Sequence, residues 1–235
     1  MALRSPDVAQ PVPWEEFKAA WTWRQGEHEL TLGPTGSGKT TLLIQTLDKR
    51  DWVVFLETKP KDRVIDYLTK HAGYRYTRTW PPREMGHRFV FHPPRTRIGD
   101  AAYQSKAVWD FFEAMYSAGG WTIVVDELQY ITDELKADAP YKTILHQGRS
   151  IDLTCVTGSQ RPAFVPVVAY SSATHLFLFK TSDKRDLERV RDIAGQVDPR
   201  EVQDRLVRLP AEKHWALYVN SRTGQITEVL APKLA

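Results

Sequence analysis

Hydrophobic residues along the chain fall into two kinds of segment. Short, almost unbroken apolar runs are typical of strands that are buried on both faces of a sheet, whereas longer segments with apolar residues three or four positions apart are typical of helices. The first kind predicts strands over 28–32, 52–58, 88–92, 121–127, 152–162, 174–179, 214–220 and 225–230. The second kind predicts helices over 14–21, 40–50, 61–73, 100–119, 134–150 and 183–195.

The alternation of strands and helices predicts an α/β fold with a mostly parallel central sheet and helices on both faces. We expect a lead-in and short helix over 1–25, a core over 26–195, and an extension of the same domain over 196–235 that contains a helix and a β-hairpin. In such sheets ligands bind beyond the carboxyl ends of the strands, and we expect the motifs described below to lie at such ends.

The composition of the chain limits its expected cellular location and partners. The chain has 235 residues, of which 42% are hydrophobic and 26% charged, and its single cysteine excludes an internal disulfide. No apolar run reaches the roughly 18–20 residues that span a bilayer, and the N-terminus lacks the apolar core of a signal peptide. We therefore expect a cytoplasmic protein without a membrane partner. The net charge of +3 is compatible with a nucleic-acid partner but too small to imply one.

A glycine-rich stretch, GPTGSGKTT at 33–41, follows the first long strand. Gly33, Gly38, Lys39 and Thr40 match the pattern G-x-x-x-x-G-K-[ST], in which backbone N–H groups face a bound phosphate. Lys39 would reach the β- and γ-phosphates, and Thr40 would ligate Mg²⁺. The alternative is a glycine turn with an exposed lysine, but the preceding strand and following helix favour a phosphate loop. Candidate nucleotide contacts are Gly33, Pro34, Thr35, Gly36, Ser37, Gly38, Lys39, Thr40 and Thr41.

Two acidic residues, Asp126 and Glu127, end the apolar strand TIVVDE. Beside a phosphate loop, an aspartate here holds Mg²⁺ through water, and a glutamate next to it polarises the attacking water. Because a nucleotide kinase must keep water out, the second acid favours hydrolysis. The alternative is a pair of solvated acids at a strand end. The pair is typical of P-loop proteins that place an extra strand between the loop strand and the acidic strand. The segments 52–58 and 174–179 could lie beside this central pair, but the sequence leaves the strand order open.

The segment VTGSQRP at 156–162 forms the polar end of another buried strand. Gln160 at its tip could sense the γ-phosphate or position water, or it could be a turn residue before the proline. Arg149 before this strand and Arg161 after it could each reach a nucleotide held by a neighbouring subunit, where an arginine stabilises transition-state charge. We favour Arg149 for this role, with a solvated surface arginine as the alternative for each.

The segment 74–97 is rich in arginine, with six arginines and one acidic residue, a local net charge of +5. Its arginines are Arg75, Arg78, Arg83, Arg88, Arg95 and Arg97, and Tyr74, Tyr76 and Trp80 interleave with them. Arginines neutralise DNA phosphates without reading sequence. Candidate DNA contacts are Arg75, Arg78 and Arg83. The alternative is a solvated surface segment.

Three tryptophans near the N-terminus, Trp14, Trp21 and Trp23, have three possible packing partners. They could pack on the adenine of a nucleotide or on a neighbouring subunit. We favour packing on the protein's own core, because large aromatic side chains dominate core energetics.

Together these motifs resemble the FtsK/HerA superfamily of DNA-pumping ATPases. The resemblance is carried by GPTGSGKTT, VVDE, QGRSIDLTCVTGSQRP and THLFLFKTSDKRDLERV, with FLETKPKD as a further match, and covers roughly residues 26–195. It implies a RecA-like core of the additional-strand, catalytic-glutamate type, in a ring of five or six copies with ATP between neighbours and double-stranded DNA through the centre. Matched onto this sequence, Lys39 and Thr40 hold the nucleotide, Asp126 the metal and Glu127 the water. Gln160 is then the strand-end sensor, and Arg149 is the arginine that acts in trans.

Departures from other members of the superfamily favour a viral double-stranded DNA packaging ATPase. We find no membrane segments before the core, no N-terminal barrel, and no room for a nuclease domain after residue 195. The expected partners are therefore DNA, further copies of the chain, and a capsid vertex or portal protein. The alternatives are an assembly or export ATPase that acts on protein partners and a cellular HerA-like translocase or helicase. No Asn-Lys-x-Asp motif for guanine is present, which favours ATP.

Overall fold

The computed structural model of the chain describes residues 10–59, 62–93, 100–210 and 214–232. Its strands are β1 (Val12–Pro13), β2 (His28–Leu32), β3 (Val53–Leu56), β4 (Arg75–Thr77), β5 (Arg88–Phe91), β6 (Thr122–Val125), β7 (Thr154–Ser159), β8 (Ala173–Phe179), β9 (Trp215–Asn220) and β10 (Ile226–Leu230). Its helices are α1 (Trp14–Ala20), α2 (Lys39–Thr46), α3 (Arg63–His71), α4 (Ala101–Ala118), α5 (Asp138–Gln147), α6 (Val167–Ser172), α7 (Lys184–Arg189) and α8 (Pro199–Arg208). Within these described residues, no helix has both the length and the apolar character needed to cross a membrane.

The ten described strands form one sheet in the order β1-β10-β9-β8-β2-β7-β6-β3-β5-β4. Among these strands, the pairs β8–β9 and β9–β10 are antiparallel and the other pairs are parallel. The predicted hairpin over 214–230 is present as β9 and β10, and it extends the sheet beyond β8. The prediction of a mostly parallel sheet is therefore confirmed.

Helices cover both faces of this sheet, as the unbroken apolar strands predict. Side chains alternate between faces along a strand, so each strand supplies two cores. In β3, for example, Val54 and Leu56 join a cluster that includes residues of α4, α5, α6 and α8. Val53 and Phe55 join a second cluster that includes residues of α1, α2 and α3. Because both faces are packed, the ends of the strands are the part of the described sheet that is free to form a site.

The strand order resolves the question that the sequence left open. Strand β7 lies between the loop strand β2 and the acidic strand β6, with Leu32 opposite Ser159 and Val125 opposite Thr157. The two other candidates flank this triplet, β3 beside β6 and β8 beside β2. The added strand is therefore β7, which is followed directly by Gln160, and its position brings the loop, the acidic pair and the glutamine to one edge of the sheet.

Some predicted boundaries are wrong. The helix expected over 134–150 is shorter, because Pro140 belongs in a first turn and α5 begins only at Asp138. The residues before it form a separate π-helical turn, Tyr130–Glu134. The sequence also gives no sign of β1 and β4, because strands of two and three residues are too short to show an alternating pattern.

The N-terminal tryptophans belong to the core. Trp14, Trp21 and Trp23 are buried, and the rings of Trp21 and Trp23 stack with centroids 5.1 Å apart. Trp21 also packs edge-on against Phe177 of β8, at 5.6 Å between centroids. Of the three possibilities raised by the sequence, core packing is the one that the structure shows.

Candidate functional site

The glycine-rich loop connects β2 to α2, and its glycines are required by its shape. Gly36 and Gly38 have φ angles of 79° and 102°, in the left-handed region that favours glycine. Gly33 donates its N–H to the Ser159 carbonyl at 3.2 Å, and a Cβ at Gly33 would lie 2.4 Å from Cβ of Phe179. A side chain at position 33 would therefore push the loop off the end of the sheet.

Lys39 is the first residue of α2 and its side chain is held across the loop. Its Nζ donates to the Pro34 carbonyl at 3.0 Å. Burial lowers the pKa of Lys39, although Asp126 and Glu127 act in the opposite direction. The ammonium group is thus largely desolvated and bonded to one neutral carbonyl, a partner that an anionic phosphate can replace with a gain in electrostatic energy.

Thr40 and Asp126 form the part of the site that suits a metal. The Thr40 hydroxyl donates to Oδ2 of Asp126 at 2.9 Å, and Gly158 of β7 leaves room for Asp126, since a Cβ there would lie 2.7 Å from its carbonyl oxygen. Hydroxyl and carboxylate oxygens are ligands that Mg²⁺ prefers. In the described part of the chain no group of three or more His, Cys, Asp or Glu side chains could hold a metal. Mg²⁺ is usually bound through one or two carboxylates together with water and substrate phosphates.

Gln160 links the acidic pair to the loop. Its amide Nε2 donates to Oε2 of Glu127 at 2.7 Å, and its Oε1 accepts from the Thr35 hydroxyl at 2.7 Å. Burial raises the pKa of Glu127 above its usual range, and the hydrogen bond from Gln160 partly offsets this effect. A carboxylate with a raised pKa is a better proton acceptor than a solvated one. The glutamine therefore connects the loop to a group suited to activating water.

Lys59 is a residue of this site to which the sequence analysis gave no role. Its Nζ lies 3.7 Å from Oδ2 of Asp126 and 3.2 Å from Oδ2 of Asp62. Burial alone would lower the pKa of Lys59, but Asp126, Glu57 and Asp62 outweigh burial and raise it. The match of the sequence FLETKPKD to the superfamily was the signal that could have identified Lys59 as a site residue. Parallel pairing of β3 with β6 places this lysine next to the acidic pair.

The two candidate trans arginines lie at opposite edges of the sheet. Arg149 is exposed in a 3₁₀ turn, Gly148–Ile151, before the amino end of β7, so the structure does not bring it to the loop of its own chain. Arg161 follows the carboxyl end of β7, where its guanidinium pairs with Asp183 at 3.1 Å and Asp186 at 3.3 Å. Arg161 is therefore engaged within its own chain, whereas Arg149 is displayed outward.

The arginine-rich segment separates into exposed and structural residues. Arg75 lies on the edge strand β4, where it pairs with Glu84 at 3.6 Å, and Arg78 and Arg83 are exposed. Arg88, in contrast, is half-buried and donates to the Arg50 carbonyl at 2.6 Å. Arg88 is therefore part of the fold, and the local charge available to a partner is smaller than the sequence indicates. The remaining two arginines, Arg95 and Arg97, lie outside the described residues.

The aromatic residues of the same segment also separate into core residues and an exposed one. Tyr74 is buried and Trp80 packs on the core, with its ring 5.2 Å from that of Phe111. Tyr76 is exposed and bonds through its hydroxyl to Nδ1 of His92 at 2.9 Å. Of the three interleaved aromatic side chains, two are thus used to pack the segment against the sheet.

Comparison with known proteins gives three results. No protein-family model matches the chain. Over 170 residues the chain is 28% identical to the DNA packaging ATPase P9 of Enterobacteria phage PRD1, covering 69% of this chain and 67% of that protein. The structure is also similar to that of the genome packaging NTPase B204 of Sulfolobus turreted icosahedral virus 2, solved with AMPPCP. The alignment covers 89% of this chain and 100% of the B204 chain, with a TM-score of 0.63 and 15% sequence identity. The chain resembles viral genome-packaging ATPases of the FtsK/HerA type.

The wider structural comparison agrees with this resemblance. The structure of VirB4 of Thermoanaerobacter pseudethanolicus aligns over 88% of this chain and 89% of the VirB4 chain, with a TM-score of 0.63 and 11% sequence identity. At such low identity these structures inform about fold alone, and they confirm the predicted RecA-like P-loop NTPase fold. The resemblance drawn from the motifs is likewise confirmed.

Proposed function

We propose that this chain is the ATPase subunit of a ring of five or six copies that hydrolyses ATP to ADP and phosphate and moves double-stranded DNA into a viral capsid. The observation that carries this proposal is the similarity over 170 residues to the packaging ATPase of phage PRD1. We propose that the ring acts in the host cytoplasm or at the virion vertex, docked to a capsid vertex or portal protein.

The geometry supports ATP hydrolysis with Mg²⁺. The loop and Lys39 bind the phosphates, and Thr40 and Asp126 would hold Mg²⁺, which would neutralise the negative charge that develops during hydrolysis. Glu127 accepts a proton from the attacking water, and Gln160 fixes the position of that carboxylate. A solved complex of the B204 NTPase with ATP-γ-S is consistent with the choice of nucleotide.

Stimulation by duplex DNA is the test of this function. We expect the purified chain to hydrolyse ATP slowly alone and at least several times faster with double-stranded DNA of any sequence. The reason is that a DNA translocase couples ATP turnover to movement along the duplex. Phosphate release with and without duplex measures this, with Lys39→Ala as the control that loses activity in both conditions. Equal rates with and without duplex would instead support an ATPase that acts on protein partners.

The exposed arginines of the segment 74–97 lead to a second prediction. Replacing Arg75, Arg78 and Arg83 by alanine should weaken duplex binding at least tenfold at low salt. It should also reduce the slope of log K against log salt by about 2 to 3, since each lost phosphate contact accounts for about 0.9. Fluorescence anisotropy over a salt series measures both quantities.

A matched control removes the same charge from α7 and α8. Its positions, Arg185, Arg200 and Arg208, are also exposed. This control variant should keep the wild-type affinity and slope. If the two triple variants lose affinity equally, the arginines of 75–83 contribute only general charge and do not line the DNA path.

A further inference from the structure

A cavity of about 490 Å³ opens beside the phosphate loop. Its wall consists of Gly36 and Gly38 of the loop, the first residues of α2 from Lys39 to Thr41, and two residues that flank the C-terminal hairpin, His214 and Pro232. The volume is within the range of small-ligand sites, about 300–1,000 Å³. One wall is therefore built for phosphate, while the other comes from a part of the chain that carries no nucleotide motif.

His214 is held by two contacts, one to the end of β10 and one to the loop. Its carbonyl accepts the N–H of Ala231 at 2.9 Å, which joins it to the end of β10, and its Nδ1 lies 3.0 Å from the carbonyl of Ser37. Since a carbonyl oxygen only accepts, Nδ1 carries the proton, and in the neutral ring Nε2 remains as an acceptor. The residue has a φ of 50°, a conformation in which histidine is among the better tolerated side chains.

The hairpin wall and the acidic pair contact the loop region at different residues. Asp126 meets the loop region at Thr40, whereas His214 meets it at Ser37 and lies 3.6 Å from the position of a Cβ on Gly38. With the γ-phosphate directed toward the acids, the rest of a nucleotide extends toward the hairpin. The N-terminal tryptophans, buried in the core, do not supply a surface for it.

We propose that His214 and Pro232 form the base-binding wall of the nucleotide site, so that the base of ATP lies against the proline ring and the imidazole. This inference rests on the proposed ATPase function and adds a residue-level account of how the base is held. It also explains why the C-terminal hairpin contacts the loop. The loop would bind the phosphates and the residues flanking the hairpin would bind the base, so both parts of the chain would hold the same nucleotide.

The test compares ATP with inorganic tripolyphosphate, which has the phosphates but no base. In His214→Asn, asparagine tolerates the left-handed conformation and its amide can donate to the Ser37 carbonyl, so the loop keeps its support while the ring is lost. We expect this variant to bind ATP about tenfold more weakly and tripolyphosphate within twofold of wild type, both measured by titration calorimetry with Mg²⁺. His146→Ala, at an exposed position on α5, should change neither affinity.

Two outcomes would overturn the inference. Unchanged ATP affinity in His214→Asn would show that the ring does not contact the base, and an equal loss for ATP and tripolyphosphate would show that His214 only supports the loop. His214→Ala, with circular dichroism to confirm folding, separates these cases further, since it loses both the ring and the donor. If the wild-type chain binds neither compound, the proposed ATPase function itself fails, and the base-binding wall fails with it.

Discussion

The Glu127→Gln variant is expected to bind ATP as tightly as wild type and to hydrolyse it at least a hundredfold more slowly. General-base catalysis contributes about 10²- to 10⁴-fold, and an amide cannot accept the proton of the attacking water. The substitution preserves shape, because the new amide oxygen still accepts the hydrogen bond that Gln160 donates to Glu127 at 2.7 Å. Phosphate release and ATP titration measure the two effects separately.

A matched control for this variant is Glu188→Gln, which makes the same chemical change at an exposed position on α7. It should retain wild-type turnover and affinity. Normal turnover in Glu127→Gln would show that another group activates the water, and the assignment of the acidic pair would be wrong. Loss of ATP binding in Glu127→Gln would instead indicate that this carboxylate is needed to hold the nucleotide.

Residues that act through local geometry were predictable from the sequence. The spacing of Gly33, Gly38, Lys39 and Thr40 defines a loop whose conformation depends on neighbouring residues, and the structure shows those glycines in the positions that need them. The acidic pair was predictable for a similar reason, since an unbroken apolar run followed by two acids is typical of the end of a buried strand. In both cases a few consecutive residues contain the information.

Residues that act through long-range contacts were not predictable. The order of β2, β7 and β6 depends on which strands pair, and adjacent sequence does not determine this. Lys59 reaches Asp126 across two paired strands, and His214 reaches the loop from a position 177 residues away. A count of arginines likewise cannot distinguish Arg88, bonded to a backbone carbonyl, from the exposed Arg78.

The remaining large effect is expected from Arg149→Ala, which should lower the ATPase rate by about a thousandfold or more if Arg149 acts on the nucleotide of a neighbouring copy. Arg149 lies before the amino end of β7 and Gln160 after its carboxyl end. A six-residue strand such as β7 spans about 20 Å, which is too far for an arginine side chain to cover. Arg149 could therefore reach a nucleotide only in another copy. Arg161→Ala should retain most of the activity, since Arg161 is paired with Asp183 and Asp186.

Mixing two inactive variants tests whether Arg149 acts between copies. The Lys39→Ala variant has a damaged loop but an intact Arg149, and the Arg149→Ala variant has the reverse. In a mixed ring, some interfaces combine an intact loop with an intact arginine, so the mixture should hydrolyse ATP although neither variant does so alone. A mixture that forms rings but stays inactive would contradict action in trans. Because each copy displays Arg149 at the sheet edge opposite its own loop, a site completed by the next copy would couple hydrolysis in one subunit to the position of its neighbour.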